Sequence, residues 1–312
     1  MFFLPFQVDL PLGRLPFLTI LIALLCIIIY GKQVSATSQL EEALHGFCVQ
    51  QTNDRDFIRS LTSIKSPKLN SCEALIYYIH SSSNPQETIK QLGRIARPLQ
   101  GVSHAYSQHY VTTILQKKYN TIHDQLPLDL TEKLAYHPNS YDIINMFTSQ
   151  FAHADIFHLI GNLLFFFAFA ASLEIVLGAT RFLLMSIVLS IGVSLAFSLY
   201  NIGVSQPMPT IGLSGVVMGM IGIFSYLMPS ANIRCLLVIL LYFRIFTIPA
   251  WILAIWFVGW DFYNLFNTET QSEVNLVAHV SGAFLGYSLA AIFFRSKKKL
   301  IKQQLIKIQQ NK

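Results

Sequence analysis

Apolar stretches near the ~20 residues that a helix needs to cross a bilayer core recur along this chain, at residues 15–30, 157–177, 182–200, 213–229, 245–264 and 274–294. Inside hydrocarbon every backbone N–H and C=O must find its partner within the protein, and a helix satisfies its own. The chain is 53% hydrophobic and 12% charged, whereas soluble domains carry about 25% charged residues. The expected fold is therefore an all-α polytopic membrane protein, a bundle of six transmembrane helices with a small helical domain outside the membrane. A further apolar piece, residues 235–243, is too short to span. It is bracketed by Arg234 and Arg244 and is expected at the interface, where arginines can snorkel.

The net charge of +6 is concentrated at one end. Residues 295–312 hold Arg295, Lys297, Lys298, Lys299, Lys302, Lys307 and Lys312 with no acid, and removing these seven from +6 leaves −1 for the rest. That pattern reads as a topology signal and an attraction to anionic lipid rather than as a nucleic-acid surface. Arg181, Arg234 and Arg244 fall on the same side as the tail, so the positive-inside rule puts both termini in the cytoplasm. The expected organisation is a cytoplasmic N-terminus (1–14), a first span (15–30), an extracytoplasmic helical insertion (31–145), five further spans (146–294) and a basic cytoplasmic tail (295–312). Val34-Ser35-Ala36 loosely resembles a signal-peptidase site, so a cleaved leader is the other reading of the first apolar run.

The insertion carries helix-start signals. Ser38 with Glu41, and Asn84-Pro85 with Glu87, have the spacing of capping boxes. Cys48 and Cys72 both fall in this polar region, where an oxidising compartment would permit a disulfide; two reduced buried thiols fit the sequence as well. No cysteine and histidine spacing of the metal-binding kind occurs, so neither a metal nor another cofactor is expected.

Three spans run in the same direction, and each carries its unusual polar residues within its first turns. The second opens with His153, Asp155, His158 and Asn162; the fourth with Gly212-Leu213-Ser214-Gly215; the sixth with Asn275, Ala278 and His279. At 1.5 Å per residue these sets share a depth in the outer third of the bilayer. An ionisable side chain there is costly and points to function. Ser214 becomes a nucleophile only if a base removes its proton, and His279 is a base at that depth. His158 and Asn162, spaced i, i+4, share a helix face. They could donate to a developing oxyanion together with the Ser214 N–H, or simply hold the second span to the fourth. Gly215 and Gly219 in the fourth span, and Ala278, Gly282 and Gly286 in the sixth, form small-residue stripes that let helices approach closely. Only such a contact between the fourth and sixth spans can bring Ser214 and His279 together.

His153, His158 and Asn162, then Gly212-Leu213-Ser214-Gly215, then Ala278-His279-Val280-Ser281-Gly282 with Gly286 resemble, in this order, the rhomboid intramembrane serine proteases, over about residues 140–294. The resemblance implies Ser214 as nucleophile and His279 as general base. It implies His158, Asn162 and the Ser214 amide as oxyanion hole, and His153 as support for the outer loop. The implied substrates are single-pass transmembrane proteins with a locally unstable helix, entering laterally near the second and fifth spans. The six-span count resembles the bacterial core of the family, which implies a bacterial inner membrane. Residues 266–273 would then form a lid over the site.

The chain departs from the family pattern at three points. Met218 stands where a tyrosine often stacks on the catalytic histidine. The tryptophan-arginine signature of the first outer loop is missing. Glu174 matches an acidic position, but Val176 replaces the arginine two residues on. No acid lies near His279 in sequence, so a Ser-His dyad without a third member is expected. The rival reading is a non-proteolytic rhomboid-like binding or quality-control protein, or a transporter using His158 and His279 as polar pathway residues.

Overall fold

A computed structural model describes residues 2–8, 14–64, 66, 69, 71–82, 84–204, 207–239, 242–267 and 274–310. The chain forms two compact units, one of Met1–Tyr30 with Leu134–Lys312 and the other of Gly31–Lys133. The helix α1 (Phe17–Gln50) contributes residues to both. Ser38 and Glu41, expected to open a new helix, lie inside α1. Nothing between Tyr30 and Ser38 stops a helix: there is no proline, and the single Gly31 costs only about 1 kcal/mol.

In the smaller unit, α2 (Arg55–Ser63), α3 (Cys72–His80), α4 (Pro85–Ile95), α5 (His104–Ile122) and the short α6 (Leu130–Leu134) join the end of α1. Each of the first four opens on a side chain that accepts from a backbone N–H three residues on. The pairs are Asp54 with Phe57, Ser71 with Ala74, Asn84 with Glu87 and Ser103 with Tyr106. Such caps satisfy donors that the helix itself leaves open. Leu40, Leu44, Phe57, Leu75, Ile76, Ile79, Ile89, Val111 and Leu115 form the core. A disulfide joins Cys48, near the end of α1, to Cys72, the first residue of α3. Closing a 24-residue separation removes chain entropy from the unfolded state, which corresponds to about 3 kcal/mol. Reduction is expected to lower the melting temperature of this unit in detergent. An unchanged melt in dithiothreitol would show that the bridge contributes nothing.

The larger unit contains α7 (Ile143–Thr148), a one-turn 3₁₀ helix (Ser149–Phe151), α8 (Ile156–Leu177), α9 (Ala179–Tyr200), α10 (Ser214–Leu227), α11 (Ala250–Asn267), α12 (Leu276–Phe293) and the basic α13 (Arg295–Gln310). Among the described residues α1, α8, α9 and α12 are long and apolar enough to cross a membrane, and α10 is a shorter apolar helix. This is a polytopic helical bundle, as composition predicts. α10 is shorter than the expected 213–229: it ends before Pro229, which cannot continue the helix. Its 14 residues rise only about 21 Å at 1.5 Å each.

Residues 2–8, 232–239 and 242–249 depart from the all-α expectation. β1 (Phe2–Val8), β2 (Asn232–Ile239) and β3 (Tyr242–Pro249) form an antiparallel sheet in the order β1-β2-β3. Of the piece 235–243 expected at the interface, residues 235–239 lie in β2 and Tyr242 and Phe243 in β3, and the fifth apolar segment begins as a strand before turning helical at Ala250. The physical reason is alternation: Ile233 and Cys235 are buried, while Asn232 and Arg234, which alternate with them, are exposed. That period of two fits a strand and not a helix.

Glu174, 5% exposed near the end of α8, anchors the start of α1. Its carboxyl oxygens accept from Leu18 N (2.9 Å), Thr19 N (2.7 Å) and Thr19 Oγ1 (2.7 Å). The end of α8 is covered by Lys297, whose Nζ donates to Val176 O at 2.6 Å.

The contact that places the site is the seam between α10 and α12. A Cβ on Gly215 would lie 3.3 Å from Ala278 Cβ. Added Cβ atoms on Gly222, Gly282 and Gly286 would run into the carbonyls of Ala283, Gly215 and Gly219 respectively. Within a membrane, helices gain little from burying apolar surface and associate through close packing, which these residues allow.

Candidate active site

Ser214 is the first residue of α10. The preceding turn is set by Gly212, whose φ of +110° is strained for any other residue. Its N–H donates to Ser149 O at 2.9 Å. Thr210, two residues earlier, pairs with Tyr136 in an isolated antiparallel bridge. Asn275 ties this turn to α12: its Nδ2 donates to Thr210 Oγ1 at 2.9 Å, and its Oδ1 caps α12 by accepting from Ala278 N at 3.0 Å.

His158 and Asn162 lie against Gly212. A Cβ there would fall 2.8 Å from His158 Nε2 and 3.7 Å from Asn162 Nδ2. The Ala154 N–H donates to His158 Nδ1 at 3.4 Å. Nδ1 is therefore the acceptor and, in the neutral ring, Nε2 carries the proton. The donor N–H of His158 thus faces the turn that leads into Ser214. Asn162 Nδ2 uses one hydrogen on His158 O (2.9 Å) and has a second to offer. α10 has no side-chain cap at its start, so its first amides are open donors.

His153 stands behind His158, ring to ring at 5.2 Å and 68°. Its side chain is buried, and its Nδ1 lies 3.2 Å from Phe151 O. Asp155 caps α8 by accepting from Phe157 N and His158 N at 2.7 and 2.9 Å.

On the other side of the turn, the Gly215–Ala278 contact puts His279 beside the start of α10. Its Nδ1 lies 2.8 Å from Asp261 Oδ2, on α11. The carboxyl accepts, so Nδ1 holds the proton and Nε2 is left with a lone pair. Nε2 is buried and has no hydrogen-bond partner among the described residues. The two histidines thus have opposite tautomers, His158 offering an Nε2–H and His279 an unprotonated Nε2. Ser214 Oγ and His279 Nε2 are not hydrogen-bonded to each other; catalytic hydrogen bonds are often long before substrate arrives. A small cavity beside Ser214, with room for about one water, has Ser149, Gln150, Ser194, Thr210 and Asn275 among its lining residues. A larger cavity along Trp251, Trp256 and Trp260 is lined only by one apolar face of α11 and holds no reacting group.

The structure therefore gathers His153, His158, Asn162, Gly212, Ser214, Gly215, His279 and Gly282 around one turn. Asp261 was missed by sequence reasoning. It is 18 residues from His279 in another helix, and its only signal was an acid in an otherwise uncharged α11. The expected lid lies outside the described residues from 268 to 273.

A rhomboid domain family model matches residues 141–296, half of the chain. Rhomboid protein 1, mitochondrial, of Saccharomyces cerevisiae (strain ATCC 204508 / S288c) is 31% identical over 148 residues, covering 46% of this chain and 40% of that protein. The chain thus matches less than half the length of this curated relative.

Proposed function

The chain belongs to the rhomboid family, and from that premise we propose that it is an intramembrane serine endopeptidase that cleaves transmembrane segments of other membrane proteins. The observation that carries this reading is the turn at Gly212–Ser214. It is flanked on one side by the His158 and Asn162 donors and on the other by the Gly215–Ala278 contact that delivers His279.

In the reaction Ser214 Oγ attacks the scissile carbonyl carbon while His279 Nε2 takes its proton. The carbonyl oxygen becomes an oxyanion that accepts from His158 Nε2–H, Asn162 Nδ2–H and the Ser214 amide. His279 then protonates the leaving amine, and an acyl ester remains on Ser214. Water attacks that ester with His279 again as base, and release of the acid restores the hydroxyl. The small cavity that Ser149, Gln150 and Ser194 help to line gives the water a place beside the ester. His153, Gly212, Gly215 and Gly282 act by positioning.

The proposed topology has six spans and both termini in the cytoplasm of a bacterial inner membrane, with residues 31–145 outside. The Cys48–Cys72 bridge favours that side, because oxidising compartments sustain disulfides. The basic α13 then meets the anionic inner leaflet. A serine-reactive fluorophosphonate in detergent tests the site: wild type is expected to label and Ser214→Ala not. His279→Ala is expected to abolish cleavage of a model transmembrane substrate. Equal labelling of wild type and Ser214→Ala would sink the protease reading and favour the non-proteolytic one.

A further inference from the structure

We propose that Asp261 is the positioning residue of this site, holding His279 in the tautomer and orientation that a base toward Ser214 requires. The proposal rests on the assignment of Ser214 and His279 as nucleophile and base, and extends it to a chain of three groups.

Depth brings the pair together. Asp261 lies six residues before the end of α11, and His279 three residues after the start of α12. At 1.5 Å per residue both sit within about two turns of the same end of the bundle. The contact is 2.8 Å, and the side chains of His279 and Asp261 are only 13% and 18% exposed. An acid in a membrane helix is costly unless it is paired, and Asp261 is the only charged residue of α11. Its position excludes the bland role of helix capping, since it stands in the twelfth place of an 18-residue helix.

The chemistry follows from which nitrogen is bound. A carboxyl at Nδ1 fixes the proton there, so the Nε2 lone pair is available on the opposite side of the ring. When Nε2 takes the serine proton, the resulting imidazolium is stabilised by the same carboxylate. Met218 cannot provide this restraint: its thioether has no N–H or O–H and is at best a weak acceptor. The interhelical contact thus replaces a side chain stacked on the histidine with one that also selects its tautomer. An asparagine at 261 could donate to Nδ1 and so favour the opposite tautomer, with the proton on Nε2, where it blocks the base.

The test is steady-state cleavage of a transmembrane substrate in detergent by wild type and by the Asp261→Asn, Asp261→Glu and Asp261→Gln variants, with a thermal melt of each. Asp261→Asn is expected to lower kcat on the order of 100-fold or more, with KM within about twofold and the melt nearly unchanged. Asp261→Glu restores a carboxyl and is expected to exceed the volume-matched Asp261→Gln about tenfold in kcat, a comparison that holds even where Asp261→Asn folds poorly. A role limited to holding α11 against α12 would not separate kcat from KM or carboxyl from carboxamide. Wild-type kcat in Asp261→Asn, or equal rates for Glu and Gln, overturns the proposal while wild-type cleavage leaves the Ser214–His279 assignment standing. A wild type that neither cleaves nor labels at Ser214 overturns that assignment and the proposal with it.

Discussion

Gly286→Ala is expected to be among the costliest alanine substitutions at the described glycines, and to remove activity although position 286 lies seven residues from His279. The new Cβ would overlap Gly219 O, with Gly219 C and Cα close behind. Overpacking against side chains typically costs about 1–3 kcal/mol because rotamers can shift. Here the obstacle is backbone in the middle of α10, so the helices must separate, and the cost should reach the top of that range or exceed it. Separation widens the seam at Gly215 and Ala278 as well, and reactive groups displaced by about 1 Å lose on the order of 100-fold in rate. Gly259→Ala is the control: nothing lies within 4 Å of its added Cβ, and alanine gains about 1 kcal/mol in helix propensity. A thermal melt and kcat/KM in detergent measure both variants. Equal behaviour of the two would mean that the seam is not what sets the site.

The second large effect is expected at Glu174. Glu174→Ala removes three acceptor contacts at once and leaves the buried Thr19 amide and the half-buried Leu18 amide without their partner. Orphaned buried polar groups cost about 1–3 kcal/mol each, so a loss of about 3 kcal/mol in the melt is expected. Glu174→Gln keeps one acceptor oxygen and should fall between. Because Glu174 lies near the far end of α8 from His158, about four turns away at 3.6 residues per turn, the surviving folded fraction of Glu174→Ala should keep wild-type kcat. A variant that stayed folded but lost kcat would show that Glu174 reaches the chemistry.

The bundle was legible wherever apolar length and a cap coincided. α8 opens at Asp155 and α12 at Asn275, both marked by an N-cap side chain just ahead of a long apolar run. The small-residue stripes disclosed which helices meet, because only glycine and alanine permit backbones so close. The sheet was hidden for the opposite reason: Ile233, Cys235 and Leu237 sit in a segment apolar enough to be read by hydropathy alone, and its period of two was overridden. α1 ran on past the expected break because two helix-start residues at 38 and 41 do not end a helix that nothing interrupts. Asp261 was beyond reach for a different reason. A side chain contact across two helices depends on their rotation about their axes, and neither spacing nor composition encodes that angle.

The Cys48–Cys72 bridge also bears on how a chain of this kind is sorted during synthesis. Thiols oxidise on one side of a membrane and stay reduced on the other, so molecules threaded in opposite directions would differ by two protons, two electrons and one sulfur–sulfur bond. The remaining cysteines, Cys26 and Cys235, are buried in the other unit. On the proposed topology, the oxidation state of this one pair would record, molecule by molecule, the direction in which the first helix was inserted.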